Sequence, residues 1–288
     1  MRQSEDEQLR QFETLRVSYN EHIAILTLDR PEALNSMNPA FWQEFPRAVR
    51  EIDDSGQARA LIINASGKHF CAGMDLAVFQ AMGKSFTGDP ARRAEQMRRK
   101  VLFLQDAFNA LEAVRIPVLA AVQGAAIGGA VDLLCACDMR YCTTDAYFSV
   151  KETELGMTAD LGTLQRLPRL IPMGLAKELA YTGRNFTSEQ ALQAGFVNNV
   201  YADMDTLMDG VTQIAKSISR HSPMAVAGTK TMINYAADHS VADSLNFMAT
   251  WQAGMFQMED VNTAMQAKKQ DQAPHYAPLE PGITSIDD

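Results

Sequence analysis

The sequence has little of what several protein classes require. It holds only four cysteines in 288 residues: Cys71, Cys135, Cys137 and Cys142. Three fall within "CACDMRYC", inside an apolar run. There is no second ligand pair and no neighbouring histidine, so the spacing speaks against a metal site and for buried, reduced thiols. No apolar run reaches the length of a membrane span. A basic excess is also missing: the net charge is −9 and the pI is near 5.1. A chain of that sign repels nucleic-acid phosphate and anionic membrane, so neither is expected as a partner. The glycines of "GAAIGGA" lack the G-x-G-x-x-G spacing of a dinucleotide site, and no G-K-[ST] follows them, which excludes a phosphate loop. The N-terminal "MRQSEDEQLRQFE" has neither a secretory apolar core nor the acid-poor character of a transit peptide. The C-terminal "ITSIDD" is not a peroxisomal tripeptide. These absences lead to the expectation of a cytoplasmic protein.

What is present is a large apolar fraction, 47% of the residues, enough for the core of one sizeable domain. "FETLRVSYNEHIAILTLDRP" alternates apolar and polar residues around Asn20-Glu21 and predicts a hairpin. Asn38 as N-cap, followed by Pro39, opens a predicted helix through "AFWQEFPRAVREID". "ALIINAS" and "IPVLAAV" are predicted buried strands. Gly83 to Pro90 is predicted loop. The helix after it carries Met97, Val101, Leu104, Phe108 and Leu111 on one stripe. "MRYC" and "AYFSV" are predicted short strands, and Thr187 with Gln190 a capping box. Strand and helix alternate in the first half and helices dominate the rest, an α/β core with a helical remainder. No strand is available to cover the helices after about Ser222, and from Asp271 on the chain is Pro-rich and irregular or frayed.

Two loops and one acidic stretch carry the chemistry. "CAGMDL" and "IGGAVDL" each follow a predicted strand, and the second runs straight into a helix. Backbone N–H groups from two such loops, aimed at one point, form an oxyanion hole, where each donor contributes roughly 3 kcal/mol to transition-state binding. "VKETELGMTAD" places Glu152, Glu154 and Asp160 among Val150, Leu155, Gly156 and Met157. Taken singly, each feature has a plainer explanation: a tight turn, a helix-terminal Asp132, an N-cap Asp160, a strand-edge Glu152.

Together, "LDRPEALNSMN", "GKHFCAGMDL", "IPVLAAVQGAAIGGAVDLLCACDMRY" and "FSVKETELGMTADLGTLQRLPRLI" resemble the crotonase superfamily of enoyl-CoA hydratases and isomerases, from about Phe12 to about Lys269. The resemblance implies a spiral of β-β-α repeats closed by C-terminal helices that build trimers, often paired into hexamers. It divides the chain into a core over 1–221, a helical trimerisation segment over 222–270 and an irregular tail over 271–288. It further implies an acyl-CoA thioester as substrate, with its oxygen held by the backbone N–H groups of Met74 and Gly129. Ala72, Gly73, Asp75, Leu76 and Gly128 would border the coenzyme A and thioester. No metal and no redox cofactor are implied.

Within the family, hydratases carry glutamates at the positions of Asp132 and Glu152 and commonly glycine at that of Asp160. The set Asp132, Glu152 and Asp160 resembles instead the isomerases that turn 3,5-dienoyl-CoA into 2,4-dienoyl-CoA. Their reaction removes a proton from C2 and delivers one to C6, too far apart for one short carboxylate. Glu152 is assigned to C2 and Asp160 to C6, both with raised pKa values in an apolar pocket. Asp132, in the first turn of a helix, is expected to stay charged and tune the site. Glu154 receives no role. An enoyl-CoA hydratase and a non-catalytic acyl-CoA-binding oligomer are the competing readings. Arg92, Arg93, Arg98, Arg99 and Lys100 read as a solvated helix face. His69 beside Cys71 lacks an orienting third group. Lys268, Lys269 and Phe256 are weak contacts for coenzyme A or its acyl chain. Where relatives often have three glycines, Ala130 follows Gly128 and Gly129, and its methyl is expected to narrow the ligand's approach.

Overall fold

A computed structural model describes residues 9–78, 81 and 86–283. Strands β1 (Arg10–Gln11), β2 (Leu15–Asn20) and β3 (Ile23–Leu28) form an antiparallel meander. The expected hairpin is present: Asn20 pairs with Ile23, and Glu21 takes φ of 54°, the left-handed geometry that a two-residue turn demands. Helix α1 (Phe41–Asp54) follows. It starts two residues later than Pro39 would suggest, yet Asn38 still caps it, because its Oδ1 accepts the Phe41 N–H at 3.0 Å.

Then come β4 (Ala60–Ala65), α2 (Pro90–Ala113), β5 (Val118–Val122), β6 (Ala125–Ile127), α3 (Gly129–Ala136), β7 (Met139–Thr143) and β8 (Tyr147–Ser149). The strands β3, β4, β5 and β7 run parallel. Helices α4 (Thr163–Leu170) and α5 (Met173–Thr182), strand β9 (Phe186–Thr187), α6 (Ser188–Gln193) and β10 (Asn199–Tyr201) complete the core. The main sheet has the order β1-β2-β3-β4-β5-β7-β10, and a small sheet has the order β6-β8-β9. Neither β6 nor β10 was expected. Both are three residues long and exist through pairing with distant strands, β8 and β7.

The central strands are buried on both faces, which explains their unbroken apolar text. Period-two alternation sends Ile62, Leu119 and Ala121 toward α7 (Met204–Ser219), where Leu207, Val211 and Ala215 meet them. Leu61, Ile63, Val118 and Ala120 face the opposite way, into the larger core. There α1 packs on α2 through Trp42 and Phe108, ring centroids 5.6 Å apart and edge to face. The α2 stripe is only half realised: Leu104, Phe108 and Leu111 are buried, while Met97 remains exposed. The expected Thr187 box forms by half, from the Gln190 N–H to Thr187. A complete one stands at Asp203 and Thr206.

Beyond the core lie α8 (Pro223–Ala236), α9 (Val241–Met255) and α10 (Met258–Gln270). Buried Lys230 ties α8 inward through Asp138 (2.8 Å) and the carbonyls of Leu111 and Ile116. Helix α9 buries none of its residues on its own chain. The tail is irregular, as expected, but its described part is docked rather than frayed. Arg59 bonds the Tyr276 carbonyl, Arg115 that of Glu280, the Gly282 N–H donates to Asp54, and Leu279 is buried.

Candidate active site

The loop of residues 71–75 is held like a strand between two others. Cys71 N–H donates to Ala125 O, and Ile127 N–H donates to Cys71 O. On the other side, Met37 N–H donates to Gly73 O, and Asp75 N–H donates to Met37 O. This pattern turns the Met74 N–H away from Met37. Gly129 is the first residue of α3, so its N–H has no intrahelical acceptor. Among the described residues neither amide donates to a protein group. They lie close together: a Cβ placed on Gly129 would stand 4.0 Å from the Met74 nitrogen, and one on Gly73 would stand 3.5 Å from the Gly129 nitrogen.

Glycine is required at both loops. Gly73 has φ of 89°, and its Cβ would stand 2.6 Å from Ile127 O. Gly128 has φ of 56°, and its Cβ would lie 3.3 Å from Glu152 Oε1. The two amides open into a cavity of about 500 Å³. Its lining includes Ala72, Gly73, Met74, Asp75, Leu76, Gly128, Gly129 and Glu152, eight of the ten residues predicted from sequence. Ala130 does not line it; its methyl is fully buried in the core, so the expected narrowing does not occur.

Glu152 opens a 3-10 turn, Glu152–Leu155, directly after β8. Its Oε2 is buried without a hydrogen-bond partner among the described residues. Burial, with the charge of Asp160 added, raises its pKa. Asp160 lies outside the cavity lining and is more exposed than the expected apolar pocket implies. Partial burial nevertheless raises its pKa, and it stands within electrostatic reach of Glu152 and Asp132. It is not an N-cap: α4 starts after Gly162, whose φ is 130°.

Asp132 differs from expectation. It is buried behind the cavity, where its Oδ1 accepts the Thr163 N–H at 2.6 Å and joins α3 to α4. Burial pushes its pKa up to about 7; hydrogen bonding from Thr163 opposes this, and the charge of Glu152 adds to it. Loss of solvation moves its pKa upward, opposite to the downward pull expected at a helix N-terminus. Asp75 is tied to structure: it caps the Ala77 N–H and faces Ser36 and Arg30.

The plainer features resolve as structure. Glu154 pairs with Lys151 at 2.7 Å. His69 accepts the Ala125 N–H, and burial pushes the Cys71 thiol up to about 12, so the two form no nucleophile pair. All four cysteines are free and buried. Arg92, Arg93, Arg98 and Arg99 are exposed on α2, and Lys268 and Lys269 on the last turn of α10. Sequence reasoning missed Ala33, Ser36, Ile127, Lys151, Leu155 and Met157 as cavity residues. They come from separate segments that share no periodicity. Adjacency to a quoted motif was their only signal.

Comparison with known proteins identifies the family. The family model described as enoyl-CoA hydratase/isomerase matches residues 18–277. The chain is 40% identical to the peroxisomal "Delta(3,5)-Delta(2,4)-dienoyl-CoA isomerase" of Arabidopsis thaliana, over 95% of this chain and 99% of that protein. It is 41% identical to the mitochondrial protein of the same name from Homo sapiens, over 89% and 79% of the two chains. A crystal structure of enoyl-CoA hydratase from Bacillus anthracis superposes with TM-score 0.82 at 30% identity, covering 91% of this chain and 98% of that one. The crotonase-type spiral is therefore the fold. The cytoplasmic expectation is overturned, since the relatives are named peroxisomal and mitochondrial. Composition does not fix a compartment, because receptors read short addresses that leave no mark on a folded core. With a family model spanning most of its length, this chain belongs to the enoyl-CoA hydratase/isomerase family.

Proposed function

We propose that the protein isomerises 3,5-dienoyl-CoA to 2,4-dienoyl-CoA by proton transfer between two carboxyl groups and the substrate. The observation that carries this reading is the pair of free amides at Met74 and Gly129 beside Glu152, with Asp160 electrically coupled to it. Relatives at about 40% identity bear the name of that activity. The thioester oxygen accepts both N–H bonds. Ionised Glu152 removes a proton from C2, and the C–H electron pair passes into a conjugated enolate whose charge rests on that oxygen. Protonated Asp160 then donates at C6. The carbonyl re-forms and the double bonds end at C2 and C4; Glu152 then gives its proton to solvent and Asp160 regains one, so protons and electrons balance with no further cofactor. Burial raises the pKa of both acids, which strengthens each as a base toward a carbon-bound proton.

Hydration is the weaker alternative. It calls for two acids sharing one water, but the Asp132 carboxyl is buried and already bonded to Thr163. An inert acyl-CoA binder is disfavoured because an unpartnered, buried Glu152 oxygen costs stability without a return in binding. We further propose that the 222–270 segment trimerises, since α9 exposes Val241 and Leu245. Incubation with 3,5-dienoyl-CoA tests the reading. The longer-wavelength absorbance of the 2,4-diene is expected to appear. Rapid hydration of crotonyl-CoA with an untouched diene would overturn it.

A further inference from the structure

The turn that carries Glu152 is fastened to the end of α5, in part through Lys151 at the cavity wall. Lys151 Nζ donates to Gly183 O at 2.9 Å and to Glu154 Oε1 at 2.7 Å. Thr153 Oγ1 donates to Ala180 O at 3.1 Å, and Ser149 Oγ donates to the same Gly183 carbonyl at 2.7 Å. Apart from the Lys151–Glu154 pair, these bonds end on the C-terminal turn of α5 and its Gly183 cap. Gly183 has φ of 63°, and a Cβ there would stand 2.5 Å from Glu154 Oε1, so the clamp closes tightly. The Lys151–Glu154 pair is partly exposed, and such pairs contribute little to global stability. What it does locally is fix the backbone on either side of Glu152. Asp160 is held by a different element: Gln105 Nε2, on α2, donates to the Asp160 carbonyl at 2.6 Å.

We infer that Lys151 and Gln105 are positioning residues that set the two proton-transfer groups independently, Lys151 acting on the C2 step through Glu152 and Gln105 on the C6 step through Asp160. The inference rests on the isomerase reading above. Its physical basis is that the two fastenings share no residue and end on different helices, so one can loosen without the other. Removal of the C2 proton needs Glu152 and the two amides. Delivery at C6 needs Asp160 as well.

The two steps can be read separately. In D2O, exchange of the substrate's C2 hydrogen reports Glu152, while diene formation reports both acids. For Gln105→Leu the ratio of isomerisation to C2 exchange is expected to fall fivefold or more. For Lys151→Met, exchange and isomerisation should fall together, fivefold or more, with their ratio within twofold of wild type. Lys151→Arg, which keeps a cationic donor, should recover most of the loss. Gln105→Met serves if Gln105→Leu is insoluble. Equal effects of the two variants on the ratio, or rates unchanged in both, would overturn the inference while leaving an active wild type as an isomerase. A wild type that does not convert the diene overturns the function and this inference together.

Discussion

Glu152 is the residue with most at stake, because it lines the cavity of the two free amides and one of its oxygens is buried with no partner among the described residues. Glu152→Gln keeps its volume but cannot take a proton. Diene isomerisation is expected to drop by roughly 10²–10⁴-fold, the usual worth of a positioned acid–base group, in steady-state assays. Thermal stability should hold or rise, since the change removes a buried charge. Asp132 gives the pH signature. Its ordinary pKa of 3.8 rises to about 7 in the folded chain. Between those values the folded state keeps a proton that the unfolded state has lost. The stability contribution is therefore fully present below the unfolded value and is lost as pH rises through about 7. Asp132→Asn retains an acceptor for Thr163. Its advantage over wild type in unfolding free energy, read from denaturant melts, is expected to grow from acid to mildly alkaline pH, by about 4 kcal/mol at most. A constant difference across that window would contradict the assignment.

At the scale of elements, the two loops act through geometry that only glycine permits. Gly73→Ala would press a methyl against Ile127 O at a φ of 89°. It is expected to lose both folding yield and activity. Gly128→Ala places its methyl at Glu152 Oε1 at a φ of 56°. Strain of this kind costs about 1–3 kcal/mol, so melting and kcat should both fall, and KM should change less than kcat. Both loops were readable in sequence as glycines following a predicted strand, though each alone reads as a tight turn and their joint role came from the family resemblance. The hairpin, α1 and the central strands were readable too, since their signals are local: an alternation, a cap, an unbroken apolar run. Strands β6 and β10 were not, because their identity comes from partners far along the chain. The charge state of Asp132 was misread for a similar reason. Its helix position is local, but its burial under α4 is tertiary. The wetter setting of Asp160 likewise depends on how α2 and the 152–160 segment meet, through Gln105.

For the whole molecule, the largest unexplained feature is apolar surface on the last helices. Val241 is 76% exposed and Leu245 65%, on a helix with no buried residue. Faces of that kind mark association sites. Light scattering behind size exclusion is expected to give a trimer or a pair of trimers, and Leu245→Lys to shift it toward smaller species. A monomeric wild type would contradict the trimerisation proposal. The core claim, that separate acids serve C2 and C6, is tested most directly by isotope position. With 3,5-dienoyl-CoA deuterated at C2 and turned over in ordinary water, two independent carboxyls predict a 2,4-dienoyl-CoA product without deuterium at C6. Substantial transfer of the label from C2 to C6 would mean that one group carries the proton the whole way, and would contradict the account.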